Sequence, residues 1–250
     1  MLKHTPFLLL LLAAGACSPP PDAQSVVDRS IAWQGGQRLE NAEMTFEFRD
    51  RSFRVLRNRG MFEYERRYVD STGANVMEML SNDGLIREID GQLVALDSAS
   101  YASAETAVNS VVYFALLPLP LNDPAARKQL LGTTVVDGRT YHELEVTFAP
   151  EGGGRDYDDR FIYWIDVESG ALDYLAYYFH VDDGGSRFRK AVNLREVEGV
   201  RIADYLNFQA ADLTLDNVED YDTYYSTGKA ELVSEINLEN VQIRILEPDA

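Results

Sequence analysis

Short runs of alternating apolar and polar residues, each cut by a turn dipeptide, recur along most of this chain and constrain its fold. Met44, Phe46 and Phe48 alternate with Thr45, Glu47 and Arg49, and Phe53 and Val55 begin a second strand after Asp50-Arg51. Further strands are expected over Met61–Val69, Val76–Leu80, Leu85–Ile89 and Gln92–Leu96, with Asn82-Asp83-Gly84 and Asp90-Gly91 as hairpin turns. After a helical middle the pattern resumes. Thr133–Val136 turns at Asp137-Gly138 into Tyr141–Phe148, and Arg160–Val167 turns at Glu168-Ser169-Gly170 into Leu172–Val181. Ser186–Val197 turns at Glu198-Gly199 into Val200–Ala210; a polar stretch, Asp212–Lys229, precedes a last strand over Ser234–Leu246. About eleven or twelve strands in sequential hairpins imply an antiparallel meander. A Tyr and Phe content that brings aromatics to 11% suits strands.

Three helices interrupt this pattern. Ala23–Trp33 carries a helical stripe of Val26, Val27 and Ile31 and stops at Gly35-Gly36. Ala104–Leu117 is apolar over a broad face and ends at Pro118 and Pro120. Asn122-Asp123-Pro124 reads as a cap with proline at the first helical position, predicting a helix to about Leu131. The expected fold class is mainly β (α+β). A curved antiparallel sheet forms an unclosed β-barrel, and helices fill or cover its concave face.

The first sixteen residues read as a signal peptide. Lys3 and His4 precede the apolar run Phe7–Leu12, which is too short to span a bilayer, and small residues follow it. Ala14-Gly15-Ala16-Cys17 resembles the bacterial lipobox, with Ala14 where leucine is commonest. The resemblance implies cleavage before Cys17 and acylation, palmitate included, of the chain's only cysteine. An ordinary signal cut after Ala16 is the alternative. Residues 17–22, rich in proline, form a stiff tether, and 23–250 a single domain. Ser18 in place of the aspartate that marks inner-membrane retention implies an outer-membrane anchor facing the periplasm. A lone cysteine excludes an intrachain disulfide. The net charge of -18 argues against nucleic acid, which needs clustered Lys and Arg, and against lying flat on anionic headgroups.

Phe161–Val167 and Leu172–Val181 are apolar on both faces. Such strands are either covered on both sides or line a pocket on one. The pocket reading nominates Tyr163, Trp164, Tyr174 and Tyr178, with Val112 and Leu116 from the apolar helix, as ligand-binding residues. That helix is then a plug or a lid hinged at Pro118 and Pro120. The core reading makes the same residues ordinary packing.

Catalytic signals are weak. Glu151, Asp156, Asp158 and Asp159 offer oxygens on one loop but lack EF-hand spacing. His142 and His180 are the only histidines beyond the signal peptide, and His180 shares a strand face with Asp182 without a metal motif. No nucleophile elbow, dinucleotide fingerprint or P-loop is present, so no cofactor and no metal are assigned. Arg187, Arg189 and Arg195 share a strand face, and Arg49, Arg51, Arg54, Arg57 and Arg59 crowd an early hairpin. They either pair with acids across strands or form a cationic rim for a headgroup.

Two resemblances follow. Gly138–Phe148, the run Phe161-Ile-Tyr-Trp-Ile-Asp-Val-Glu-Ser-Gly170 and Val197-Glu-Gly-Val-Arg-Ile-Ala203 resemble, in element order, the periplasmic lipoprotein carriers of the LolA, LolB and LppX type. That implies a half-barrel that takes acyl chains. Val108–Pro118, Leu121-Asn-Asp-Pro124, Glu151–Tyr157 and Ser234–Asn240 are similar to an uncharacterised lipoprotein family common in Bacteroidota, a domain of unknown function. The expected function is therefore an envelope lipoprotein binding a lipid or other hydrophobic ligand. Docking onto an unidentified protein partner without a ligand, or metal-dependent hydrolysis through His142 and His180, are the alternatives.

Overall fold

Alternation and turns produce the expected hairpins in a computed structural model, which describes residues 21–151, 158–180 and 184–246. The signal peptide, Cys17, Asp156 and Asp182 lie outside the described residues. Helix α1 (Ala23–Gln34) leads into strands β1 (Ala42–Phe48), β2 (Arg51–Asn58), β3 (Met61–Val69), β4 (Asn75–Ser81), β5 (Gly84–Ile89) and the short β6 (Gln92–Leu93). Helix α2 (Ser98–Leu116) connects to β7 (Ala126–Val136), β8 (Arg139–Phe148), β9 (Arg160–Asp166), β10 (Leu172–Phe179), β11 (Gly185–Val197) and β12 (Val200–Gln209). A short helix α3 (Tyr221–Ser226) precedes β13 (Glu231–Ile236) and β14 (Glu239–Ile245).

Every pairing is antiparallel, and the strands form two seven-stranded sheets that do not close into a barrel. The first runs β14-β1-β2-β3-β4-β5-β6 and the second β13-β12-β11-β10-β9-β8-β7. The unclosed antiparallel architecture expected from the hairpins is present, but as two meanders. The chain passes between them twice: through α2, and at Asn237-Leu238, where β13 ends at the edge of one sheet and β14 begins at the edge of the other. Asp204 pins that second passage. Its Oδ1 accepts from the Leu238 amide at 2.9 Å and from Arg195 at 3.1 Å, while Arg195 also donates to the Leu238 carbonyl.

Helix α2 is wedged between the inner faces of both sheets. Its start is fixed by Asp97, whose carboxylate accepts from the Ser100 amide at 2.7 Å. Ala104, Val108, Val112 and Leu116 are buried in a core shared with Phe46, Phe53, Val55, Tyr64 and Leu80 of the first sheet and Leu144, Tyr163 and Leu175 of the second. A helix apolar on most sides requires such cover. Gly35 ends α1 in the left-handed conformation at φ 80°, and a Cβ there would collide with the Gly199 carbonyl. This close approach seats α1 on the β11–β12 turn.

The second sheet is covered on both faces, which explains its doubly apolar strands. Its outer face packs Val136, Tyr141, Ile162, Trp164, Tyr174 and Phe188 against Leu213, Val218 and Tyr221. The Tyr221 hydroxyl bonds Ser186 at 2.8 Å and accepts from the Ala210 amide at 3.0 Å, so a stretch that reads as polar folds as a cover.

Three sequence expectations are corrected. No helix follows Asp123: the Asp123 carboxylate does cap a turn, accepting from Ala125 at 2.8 Å, but the chain then extends as β7 and supplies the edge partner of β8. Tertiary pairing overrides helix propensity there. The last strand is two strands in two sheets. Finally, Arg195 does not share a face with Arg187 and Arg189, because a register shift between Val192 and Arg195 breaks the alternation.

Candidate ligand-binding site

The six nominated residues fall on opposite faces of the second sheet. Val112, Leu116 and Tyr163 meet in the inner core. Trp164 and Tyr174 lie in the outer core with Tyr178 packed at its edge, where Tyr178 meets His180 edge-on at 5.2 Å. Adjacent residues of one strand point to opposite faces, so Tyr163 and Trp164 could not have lined one cavity.

What the inner face does assemble is a continuous aromatic wall. Tyr113 of α2 contacts Phe148 and Phe161 at centroid distances of 6.2 and 5.9 Å, and its neighbour Phe114 contacts Tyr177 at 5.3 Å. Phe161 joins Phe148 at 5.8 Å and Tyr177 at 5.5 Å, and Tyr177 joins Phe179 at 6.1 Å. Register explains the row: Val146 pairs with Phe161 and Phe161 with Tyr177 across β8, β9 and β10. Tyr113, Phe114, Phe148, Tyr177 and Phe179 are half-buried, while Phe161 between them is buried; in the outer core Trp164 and Phe188 are fully buried and Phe208 and Tyr225 beside Phe188 are half-buried. One polar link ties the helix to this wall, a 2.7 Å hydrogen bond between the Tyr113 and Tyr163 hydroxyls. Burial raises both phenols well above the ordinary tyrosine range, so the pair stays neutral.

Two arginines stand on the wall. The Arg189 guanidinium lies 3.8 Å from the Phe114 ring centre and 5.2 Å from that of Tyr177, and donates to the Tyr177 hydroxyl at 2.8 Å. Arg187 lies 5.3 Å from the Phe179 ring. Beside the C-terminal end of α2 is a cavity of about 80 Å³ of mixed character, lined by Phe114, Leu117, Leu172 and Tyr205 together with Gln34, Asp173 and Arg201. Sites for small apolar ligands usually measure roughly 300–1,000 Å³.

A larger concavity, about 730 Å³, opens at the end of the first sheet. Its lining mixes Glu47, Asp50, Glu88 and Glu239 with Arg49, Arg51 and Arg67, so its charges largely offset one another, around Phe48, Tyr68, Val76 and Met77. Elsewhere, Asp158, Asp159 and His180 bring ligand-type atoms within 4.8 Å of one another, with the His180 Nδ1 3.3 Å from Asp159. His142 sits opposite Ile165 near the far end of β9, on the side of Arg29. The two histidines therefore stand at opposite ends of the strand pair and form no joint centre.

Glu143 is opposite Trp164 on the outer face, and burial, then the carboxylates of Asp222, Glu219 and Asp220, push it up to about 7. A carboxyl raised in the folded state retains its proton while the unfolded chain loses it. Its contribution to stability is full below the unfolded value near 4.5 and is lost as pH rises to about 7. Glu143→Gln is expected to raise stability at pH 8 by about 1 kcal/mol, allowing for solvent screening, and to flatten the slope between pH 5 and 7. Urea titrations across that range check it, and an unchanged slope would assign the titration elsewhere.

Residues 7–239 match a family of unknown function, DUF6503. The chain belongs to it. The sequence matches no curated protein. Among solved structures, the DUF6503 chain is similar to a DUF1329 family protein from Desulfovibrio piger, with a TM-score of 0.49 and 12% identity over 88% of this chain and 92% of that one. A LolA superfamily protein from Nitrosomonas europaea gives a TM-score of 0.49 and 12% identity, over 91% and 96%. A putative outer membrane lipoprotein-sorting protein domain from Vibrio parahaemolyticus gives 0.46 and 9%, over 90% and 95%. Among the described residues, no helix of the DUF6503 chain is long and apolar enough to cross a membrane.

Proposed function

We propose that this chain is a lipoprotein of the bacterial envelope, anchored to the outer membrane through acylated Cys17 and facing the periplasm, and that it binds a lipid or other apolar chain along the aromatic wall. The half-buried ring row from Phe148 to Phe179 carries the reading. The row stays partly open beside a helix that is apolar on most sides, with Tyr113, Phe114, Phe148, Tyr177 and Phe179 half-buried around the buried Phe161. Helix α2 acts as the cover. It swings on the irregular segments 94–97 and 117–118 when a ligand takes its place against Tyr163, Val112 and Leu116.

Anchoring and binding are tested separately. Metabolic labelling with a palmitate analogue should tag the chain and fail to tag Cys17→Ser. For binding, the Cys17→Ser chain is titrated with the neutral dye N-phenyl-1-naphthylamine. Phe148→Gln with Phe179→Gln is expected to weaken dye binding about tenfold, from the apolar contact that two half-buried rings provide. A wild-type chain that takes up no dye, or a double variant that binds as well as wild type, would overturn the wall as the site.

A further inference from the structure

Several arginines in this acidic chain meet carboxylates: Arg66 and Arg87 meet Glu78, Arg160 meets Glu145 and Glu219, and Arg195 meets Asp204. Arg187 and Arg189 do not. Among the described residues neither has an acidic partner, in a chain with 41 Asp and Glu against 23 Lys and Arg. A guanidinium offers five N–H donors in a planar fork. Arg189 spends one on a neutral tyrosine hydroxyl, and its Nε is buried with no acceptor. Arg187 spends one on the Ser186 carbonyl. Opposite Arg189 across the ladder, the buried Asn207 uses its amide nitrogen on Ser234 and leaves its oxygen without a partner.

Stacking on rings holds a guanidinium plane in place but leaves its edge donors free. Arg187 and Arg189 alternate on one strand face, about 7 Å apart along the strand, so their forks can close on one oxyanion. A half-buried cation with unspent donors at an apolar wall fits a ligand that is apolar along its length and negatively charged at one end. We infer that the wall's ligand is an anionic amphiphile whose carboxylate or phosphate head is received by Arg189 and Arg187. This rests on the apolar-chain reading above and adds the head to it.

The test compares decanoate, decyl phosphate and decanol as competitors of the neutral dye on the Cys17→Ser chain, with acetate and inorganic phosphate as heads without a chain. One charge-assisted bidentate contact in a partly desolvated site predicts that decanoate and decyl phosphate bind about 10- to 100-fold more tightly than decanol. Arg189→Met, which keeps an apolar side chain on Phe114, should reduce that ratio to within about threefold, chiefly by weakening decanoate and decyl phosphate. Arg187→Met with Arg189→Met should abolish it, and thermal melts confirm that the variants fold. Equal affinity for decanol and decanoate in the wild type overturns the head site while leaving the apolar site standing. A preference that survives in the double variant also overturns it. Acetate or phosphate competing as well as the amphiphiles would identify an oxyanion site unrelated to the chain. If no amphiphile competes at all, the apolar-chain reading itself falls.

Discussion

Replacing Glu78 with glutamine is expected to remove about 3–5 kcal/mol of folding free energy. The Glu78 side chain is fully buried between two arginines on neighbouring strands, since Arg66, Glu78 and Arg87 are direct partners across β3, β4 and β5. Arg66 Nε donates to one carboxylate oxygen at 2.8 Å and Arg87 Nε to the other at 2.9 Å. The alternation places this triad on the inner face, in line with Tyr64 and Leu80. A glutamine preserves shape and loses the charge, leaving two guanidinium groups facing each other where little water reaches. Equilibrium urea unfolding measures the loss. A change under about 1 kcal/mol would mean that the site is solvated far more than the fold suggests. Replacing all three residues with apolar ones should cost much less than Glu78→Gln alone, because the expense lies in the unmatched charge and not in the missing pair.

Trp164→Ala is expected to cost about 3–5 kcal/mol and to leave dye and amphiphile affinity within about twofold. Trp164 is fully buried on the outer face, stacked edge-on to Phe188 at 5.6 Å, and the inner wall lies across the sheet from it. Its indole nitrogen has no partner, so Trp164→Phe should be milder and serves if the alanine variant is too unstable to purify. Loss of affinity in a folded Trp164→Phe chain would move the binding site to the outer face. The pairing of large stability loss with intact binding distinguishes the two faces of one strand.

Most of the fold is legible in the sequence because its signals are local. Turn signals mark β5 at Asn82-Asp83-Gly84 and the β9–β10 hairpin at Glu168-Ser169-Gly170, and Gly35 marks the end of α1. What the sequence hides depends on distant partners. Ala125-Ala126-Arg127-Lys128-Gln129-Leu130 has good helix propensity, and only the free edge of β8 makes it a strand. Tyr221 reads as solvated among the acids Glu219, Asp220 and Asp222 until Ser186 and Ala210 supply its hydrogen bonds. The six residues nominated from the sequence come from β9, β10 and α2, and the structure divides them between two faces of the second sheet. A pattern that is apolar on both sides of a strand contains no information about which side is open. The arginines are visible as a strand-face cluster, yet their lack of acids emerges only once the bulge separates Arg195 from them and matches it to Asp204.

The last strand pairs with the first. β14 lies beside β1, with Ala42 opposite Ile245, so nearly the whole described chain separates two partners in one ladder. A contact of such long range forms late, because its loop-closure entropy must be overcome before the ladder stabilises anything. A ribosome releasing this chain from its N-terminus therefore leaves the edge of β1 open until β14 emerges. Until then the first sheet offers an unpaired strand to any neighbouring chain. Pairing of β14 consequently completes the first sheet. Deleting β14 would leave every other hairpin in place and expose one edge of β1, whose expected fate is self-association.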